Sequence, residues 1–388
     1  MVITYYSSLF MTDCDFPLIR EIQKNGHEVL YLIQIVKGKQ CGGLLDLRKY
    51  DLSPGIYPAL SFEEIKLYSG FIDLSNTFIV FRTSNLKNIK NWIVYINLIK
   101  QIKKFKPSVV HIGGALGVSE TFLYRFMHKM VMTVHDPFMH SGEYTTLSEI
   151  KRFLSFKACR KLIILNESQR EEFTKHYKIH ESKIVTSRLG VYTPLNYLSN
   201  LQCSNNKRSY DYILFFGHIS PYKGIDVLCQ AMTLIQAANI PIHCVIAGRG
   251  NYDFDIKPYK ELGVIHFENK FIDTKELVDL ISHSLFVVCP YKDATQSGVV
   301  SSAFALAKPV LATNVGGLGE SVIHNVTGKL AAPNDPNGLA ESIIEMLNNR
   351  TKLEEYSENI RQMFFEGDKS WAAIASQYLN AYVFQDNK

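Results

Sequence analysis

Three short stretches in the C-terminal half pair glycine with a cation or with a small-residue helix, and they are the residues best suited to chemistry. GHISPYKG ends an apolar run at Gly217, passes His218 and opens a helix pattern at Lys223-Gly224. AGRG sets Arg249 between Gly248 and Gly250 after a second apolar run. Residues 291–328, YKDATQSGVVSSAFALAKPVLATNVGGLGESVIHNVTG, read as a strand end, a glycine-bearing turn, a small-residue helix, a short strand and a second Gly-rich turn. Turn glycines leave backbone N–H groups free to approach a ligand. A helix starting near Ser297-Gly298-Val299-Val300 adds the positive end of its dipole. Lysine supplies a point charge and arginine a bidentate donor. Such stretches are built to hold an anion, above all a phosphate. Singly each has a bland reading, a solvated Lys or a turn whose Arg faces water; recurrence at three strand ends makes the case. GxxxxGK[ST] is absent, so this is no P-loop.

In the first half, MVMTVHD is an apolar strand ending in His135-Asp136. A strand-end imidazole can act as hydrogen-bonding partner or acid/base near neutral pH, with a satisfied structural histidine the equal alternative. His140 lies five residues on, but no carboxylate or cysteine completes a zinc spacing. The strings Asp13-Cys14-Asp15 and Asp253-Phe254-Asp255 have a divalent-ion pattern without a compelling strand-end context, and no metal is assigned. Residues 85–105 join Lys87, Lys90, Lys100, Lys103 and Lys104 to Trp92 and apolar neighbours. Such a helix could rest on anionic lipid as a peripheral contact, while a core helix with a solvated face is the favoured reading.

These residues need elements to position them, and the periodicity supplies an α/β series. An apolar strand at 2–7, a helix at 16–25 and a strand at 28–36 open it. It continues with helices at 88–105, 148–158 and 167–177 and strands at 108–112, 130–135, 161–166 and 183–187. Strands alternating with helices predict a parallel sheet. The periodicity stops over 193–211, a polar, Asn/Ser-rich stretch broken by Pro194 and read as an interdomain linker. Beyond it strands are expected at 212–217, 243–247, 264–267, 285–289, 309–313 and near 329–331, with helices between them and a last helix at about 369–383. The fold class is therefore α/β with two Rossmann-like domains facing a central cleft. Domain boundaries are drawn at 1–195 and 208–366 with a linker at 196–207, and a last helix lies within about 369–388.

At 388 residues the chain exceeds one ordinary core, with ~150 residues per domain as a guide. Apolar residues make up 46% and charged residues 20%, which is globular, and the net charge of +5 is too small to argue nucleic-acid binding. Seven scattered cysteines without CxxC, no signal-peptide pattern and no apolar run of ~18 residues fit a reduced, cytoplasmic setting, peripheral at the inner membrane face at most.

The pattern resembles the retaining glycosyltransferases of family 4, which have the GT-B fold. FFGHISPYKGIDVLCQAM is similar to their diphosphate turn, AGRG to their following Gly turn, and KPVLATNVGGLGESVIHNVTGKL to their most specific signature; GHEV, TVHDP and a final helix beginning SW also match. The resemblance implies a nucleoside-diphosphate sugar (UDP or GDP) bound by the second domain, a glycan or lipid-linked acceptor bound by the first, and a last helix, within about 369–388, that crosses back onto the first domain. By it, Gly217, His218, Lys223, Gly224, Arg249 and Gly250 surround the diphosphate, Gln296 to Val300 the phosphate and sugar, and Glu320 sits in the signature. His135 takes the family's active-site histidine position, and no metal or other cofactor is needed. Three departures stand out. His218 replaces an arginine, Ser7-Ser8 replaces a glycine pair, and paired glutamates expected near Ala294/Thr295 and Ser302/Ala303 are missing, with Asp293 close enough to stand in for the first. The implied activity is sugar transfer with retained configuration, in surface polysaccharide or glycolipid synthesis. A non-catalytic sugar-nucleotide-binding subunit and a GT-B-like UDP-sugar epimerase are the alternatives.

Overall fold

The computed structural model describes residues 1–85, 87–138, 145–201, 208–293 and 297–384. The chain divides into two compact units, residues 1–190 with 371–388, and residues 191–370.

The first unit is built on an eight-stranded sheet in the order β10-β9-β8-β7-β1-β2-β6-β5. Its strands are β1 (Val2–Ser8), β2 (Glu28–Val36), β5 (Gly55–Pro58), β6 (Thr77–Arg82), β7 (Val109–Ile112), β8 (Met130–Val134), β9 (Lys161–Ile164) and β10 (Ile184–Thr186), while β3 (Cys41–Gly42) and β4 (Leu45–Asp46) form a separate small hairpin. All pairs in the sheet are parallel except β5 with β6. Residues 37–87 carried no assignment from periodicity. There β6 is a parallel strand between polar turns and β5 an antiparallel edge strand, too short and too irregular to announce themselves.

The two faces of this sheet differ, because side chains alternate along each strand. Tyr6, Leu30, Leu32, Val110, Ile112 and Met132 enter one apolar core with Val94, Leu98 and Ile102 of helix Ile89–Phe105, Leu123 and Phe126 of the 3₁₀ segment Val118–Lys129, and Phe156 of helix Thr146–Ala158. These crossovers all run leftward along the strand order, so right-handedness puts them on one face, and the β1–β2 crossover, helix Thr12–Lys24, on the other. The last helix, Trp371–Tyr382, packs on helix Thr12–Lys24, as the resemblance implied. A Cβ on Gly190 would lie 2.4 Å from the Trp371 ring, so the chain needs glycine there.

The second unit has six parallel strands, β11 (Tyr212–Phe216), β12 (His243–Gly248), β13 (Ile265–Asn269), β14 (Val287–Cys289), β15 (Val310–Thr313) and β16 (Gly328–Ala331), in the order β13-β12-β11-β14-β15-β16. Part of the expected linker is a helix, Thr193–Leu201, whose Leu195 and Leu198 are buried and which packs on helices Thr274–His283 and Gly298–Ala305. Its polar Asn/Ser composition hid two well-spaced leucines. The rest of that stretch, 202–207, lies outside the described residues. Among the described residues no helix is long and apolar enough to cross a membrane.

Candidate functional site

In the second unit the chain runs β11, β12, β13 in one direction and β14, β15, β16 in the other, so the strand order reverses between β11 and β14. Open α/β sheets take ligands at the carboxyl ends of the strands at such a reversal. Gly217 (φ +121°) carries the chain out of β11 there. Its N–H donates to Ala247 O at 3.0 Å, and Ile219 N–H donates to Arg249 O at 3.0 Å, so the turns after β11 and β12 run side by side. A Cβ on Gly248 (φ +154°) would lie 1.8 Å from Gly217 O, and one on Gly250 2.1 Å from Ile219 O. The AGRG glycines thus serve this close approach. The Gly250 N–H already donates to Asn269 Oδ1 (3.2 Å), and Asn269 Nδ2 donates back to Gly250 O (3.0 Å).

Pro221 opens the turn that presents Lys223, and Gly224 (φ +64°) then starts the helix Ile225–Ala237. A Cβ on Gly224 would meet Pro290 O at 1.9 Å, which fixes the turn against the end of β14. From the other side Lys292 N–H donates to Tyr222 O at 2.7 Å, and Lys292 Nζ pairs with Asp226 at 2.8 Å. Lys223 itself is only 9% exposed. Its ammonium stands 3.7 Å from the ring centroid of Tyr291 and 5.0 Å from that of Tyr222. No carboxylate among the described residues pairs with it. Burial lowers its pKa to about 8. Aromatic faces offset part of the desolvation of a cation, on the order of 2 kcal/mol, and leave its positive potential available to an anion.

The helix Gly298–Ala305 completes the arrangement. Its N-cap, Ser297, is buried, with Oγ 3.5 Å from Tyr291 OH. Val299 Cγ2 would lie 3.4 Å from a Cβ on Gly217, so the first turn of this helix abuts the turn after β11. The first N–H groups of any helix lack intrahelical partners and attract negative charge. The structure therefore brings together Gly217, Lys223, Gly224, Ser297, Gly298, Val299 and the buried Val300. His218, Arg249, Asp293 and Glu320 are exposed. Among the described residues no side-chain hydrogen bond or ion pair ties those four to the cluster. Gln296, with Ala294 and Thr295, lies outside the described residues. The residues that periodicity and motif reading missed are Tyr222 and Tyr291, the aromatic bed of the lysine. Their signal was adjacency, one beside Lys223 in sequence and one at the end of the neighbouring strand.

In the first unit His135 follows β8 directly, and its Nε2 is buried without a hydrogen-bond partner among the described residues. Burial lowers its pKa, against the opposing pull of Asp136, and so favours the neutral imidazole. It borders a small cavity with Asp15, Thr133, Arg188, Trp371 and Tyr378. Beneath lies a buried polar network on the face covered by the first and last helices. Asp15 accepts hydrogen bonds from Tyr5 OH (2.8 Å) and Tyr31 OH (2.9 Å), and burial, opposed by these donors, raises its pKa to about 7. His111 is pushed down to about 3 by burial and lies 3.0 Å from both Thr133 Oγ1 and Tyr382 OH. Thr133 Oγ1 in turn meets Tyr378 OH at 3.1 Å. One carboxylate of the Asp13-Cys14-Asp15 string is thus engaged by tyrosines, and among the described residues no group of three metal-ligating side chains occurs. His140 lies outside the described residues.

Two family profiles match the chain, "Glycosyltransferase Family 4" over residues 17–193 and "Glycosyl transferases group 1" over residues 200–363. An uncharacterised glycosyltransferase of Methanocaldococcus jannaschii is 32% identical over 182 residues, 44% of this chain and 48% of the relative. The capsular polysaccharide biosynthesis glycosyltransferase CapM of Staphylococcus aureus is 23% identical, over 73% of this chain and 79% of the relative. Matches to several curated relatives span between 42% and 65% of those proteins' lengths. The crystal structure of Anabaena HepE in complex with UDP-glucose superposes with a TM-score of 0.65 at 14% identity, covering 98% of this chain and 100% of that one, which shows the shared GT-B fold. With a profile on each unit and the fold in common, the chain belongs to the family 4, group 1 glycosyltransferases.

Proposed function

We propose that the protein transfers a sugar from a nucleoside-diphosphate sugar to an acceptor hydroxyl with retention of configuration, the second unit binding the donor and the first the acceptor. The observation that carries this reading is Lys223, a buried ammonium with no counter-charge among the described residues, set on two tyrosine rings beside a helix N-terminus. A diphosphate would supply the missing negative charge. As the sugar–phosphate bond breaks, charge grows on the leaving diphosphate, and fixed positive groups stabilise it most at that point. Among the described residues no side chain is an evident nucleophile, so the leaving phosphate itself assists attack on the face it departs from. His135, its neutral form favoured by burial and its Nε2 without a partner among the described residues, is suited to hydrogen-bond a sugar hydroxyl. The match to CapM favours an acceptor of the surface-polysaccharide class.

The test is a thermal-shift and calorimetry panel of UDP, GDP and ADP with their sugars. Ligand at 100 times its dissociation constant should stabilise the protein by about 2.7 kcal/mol. Lys223→Ala should cost about 2–4 kcal/mol of transition-state stabilisation, read as kcat/KM. Wild-type turnover in that variant would remove the diphosphate assignment. One observation favours the non-catalytic alternative: Ser302 stands at the second expected glutamate position, with its hydroxyl donated to Gly298 O at 2.8 Å. Donor binding without product formation across many acceptors would select it.

A further inference from the structure

The crossovers on one face of the first sheet, helix Ile89–Phe105, segment Val118–Lys129 and helix Thr146–Ala158, bury one side in the core and leave the other unusually apolar. On helix Ile89–Phe105, Val94, Tyr95, Leu98 and Ile102 point inward, while Ile89 (72% exposed), Trp92 (58%), Ile93 (53%) and Ile96 (53%) point outward. At 100° per residue Lys100, Lys103 and Lys104 continue that same outward face. Helix Thr146–Ala158 repeats the design: Leu147, Ile150, Phe153 and Leu154 are exposed, and Lys157 lies on their face with its ammonium 5.5 Å from the Phe153 ring centroid. Val118 and Met127 are exposed on the segment between. The three elements hold nine lysines and arginines against two glutamates, and both acids are engaged, Glu120 by Arg82 and Glu149 by Arg152.

Helix Ile89–Phe105 is a core helix with an exposed face, but ten large apolar side chains exposed across these three elements are more than a merely solvated surface needs. We propose that this face docks the protein on an anionic lipid bilayer, the apolar side chains entering the interface and the lysines meeting lipid phosphates. Rings and branched aliphatics beside lysines on helices lying along a surface match that environment. A second copy of the chain fits poorly, because a two-fold contact would set this cationic face against itself. The inference is independent of the donor site, and its measurement needs no nucleotide.

The experiment is co-sedimentation of the full chain with phosphatidylcholine vesicles with and without phosphatidylglycerol. Binding should require phosphatidylglycerol and weaken with added salt. The triple variant Lys100→Gln, Lys103→Gln, Lys104→Gln should lower partitioning on the order of a hundredfold. Trp92→Ser, Ile93→Ser, Ile96→Ser should do as much through lost apolar insertion, and Lys257→Gln, Lys260→Gln on the second unit should change nothing. All of these positions are exposed, and thermal melts check that the variants fold. Absence of binding to the anionic vesicles, binding by both triple variants undiminished from that of the wild type, or variants that abolish only a concentration-dependent dimer in ultracentrifugation would each overturn the proposal.

Discussion

Both units bury ionisable side chains against a parallel sheet, and they treat them in opposite ways. Asp15 and His111 in the first unit are enclosed by the hydroxyls of Tyr5, Tyr31, Thr133 and Tyr382, each partner itself held by the sheet or by the first or last helix. Lys223 in the second unit has aromatic faces and, among the described residues, no counter-ion. Burial shifts the pKa of all three toward the neutral form. A shifted pKa alone therefore does not separate a structural group from a binding one; the completeness of the partner set does. The Asp15 network joins helix Thr12–Lys24 to the sheet beneath the last helix, whereas the Lys223 site sits at the strand reversal with its charge unanswered.

The sharpest way to break this comparison is Asp15→Ala. It removes an acceptor from two buried tyrosine hydroxyls, and calorimetric or denaturant unfolding should show a loss of about 3 kcal/mol. Nucleotide affinity should not change; a weakened nucleotide affinity in a folded Asp15→Ala protein would make the network part of the binding machinery. Lys223→Met should do the reverse. Replacing an unpaired buried charge by an apolar chain of similar length should leave thermal stability unchanged or raise it by about 1–2 kcal/mol, while nucleotide binding falls. Destabilisation would mean that Lys223 is held by partners as Asp15 is.

The smallest effect is in pH. Below about 8 the Lys223 ammonium is already charged in the free protein. Above that, binding a diphosphate must take up a proton, so nucleotide affinity should fall by up to tenfold, about 1.4 kcal/mol, per pH unit until the pKa of the bound state is reached. Isothermal titration in buffers of different ionisation enthalpy should show the proton uptake, and Lys223→Met should abolish it. A flat wild-type profile from pH 8 to 9 would show that the bound anion does not meet this ammonium.

Much of the fold was legible because apolar runs of four to eight residues bounded by glycine, proline or polar residues mark buried parallel strands, and β11, β12 and β14 of the second sheet lie in such runs. Gly217, Lys223-Gly224 and the helix after Ser297 were legible for a related reason: a strand–turn–helix junction that presents backbone to an anion requires glycine and tolerates few alternatives. β5, β6 and the helix Thr193–Leu201 were not legible, since their stability comes from neighbours distant in sequence rather than from local pattern. The sequence by itself thus determined the two-sheet α/β class and the residues able to hold a phosphate. Only the tertiary structure decided that Tyr291, two residues past the end of β14 and 68 residues after Lys223, lies under its ammonium. It alone showed that the AGRG glycines serve a close backbone approach, and that the outward face of Ile89–Phe105 is apolar rather than merely basic. Each depends on which side chains meet across the fold, and spacing along the chain does not contain that information.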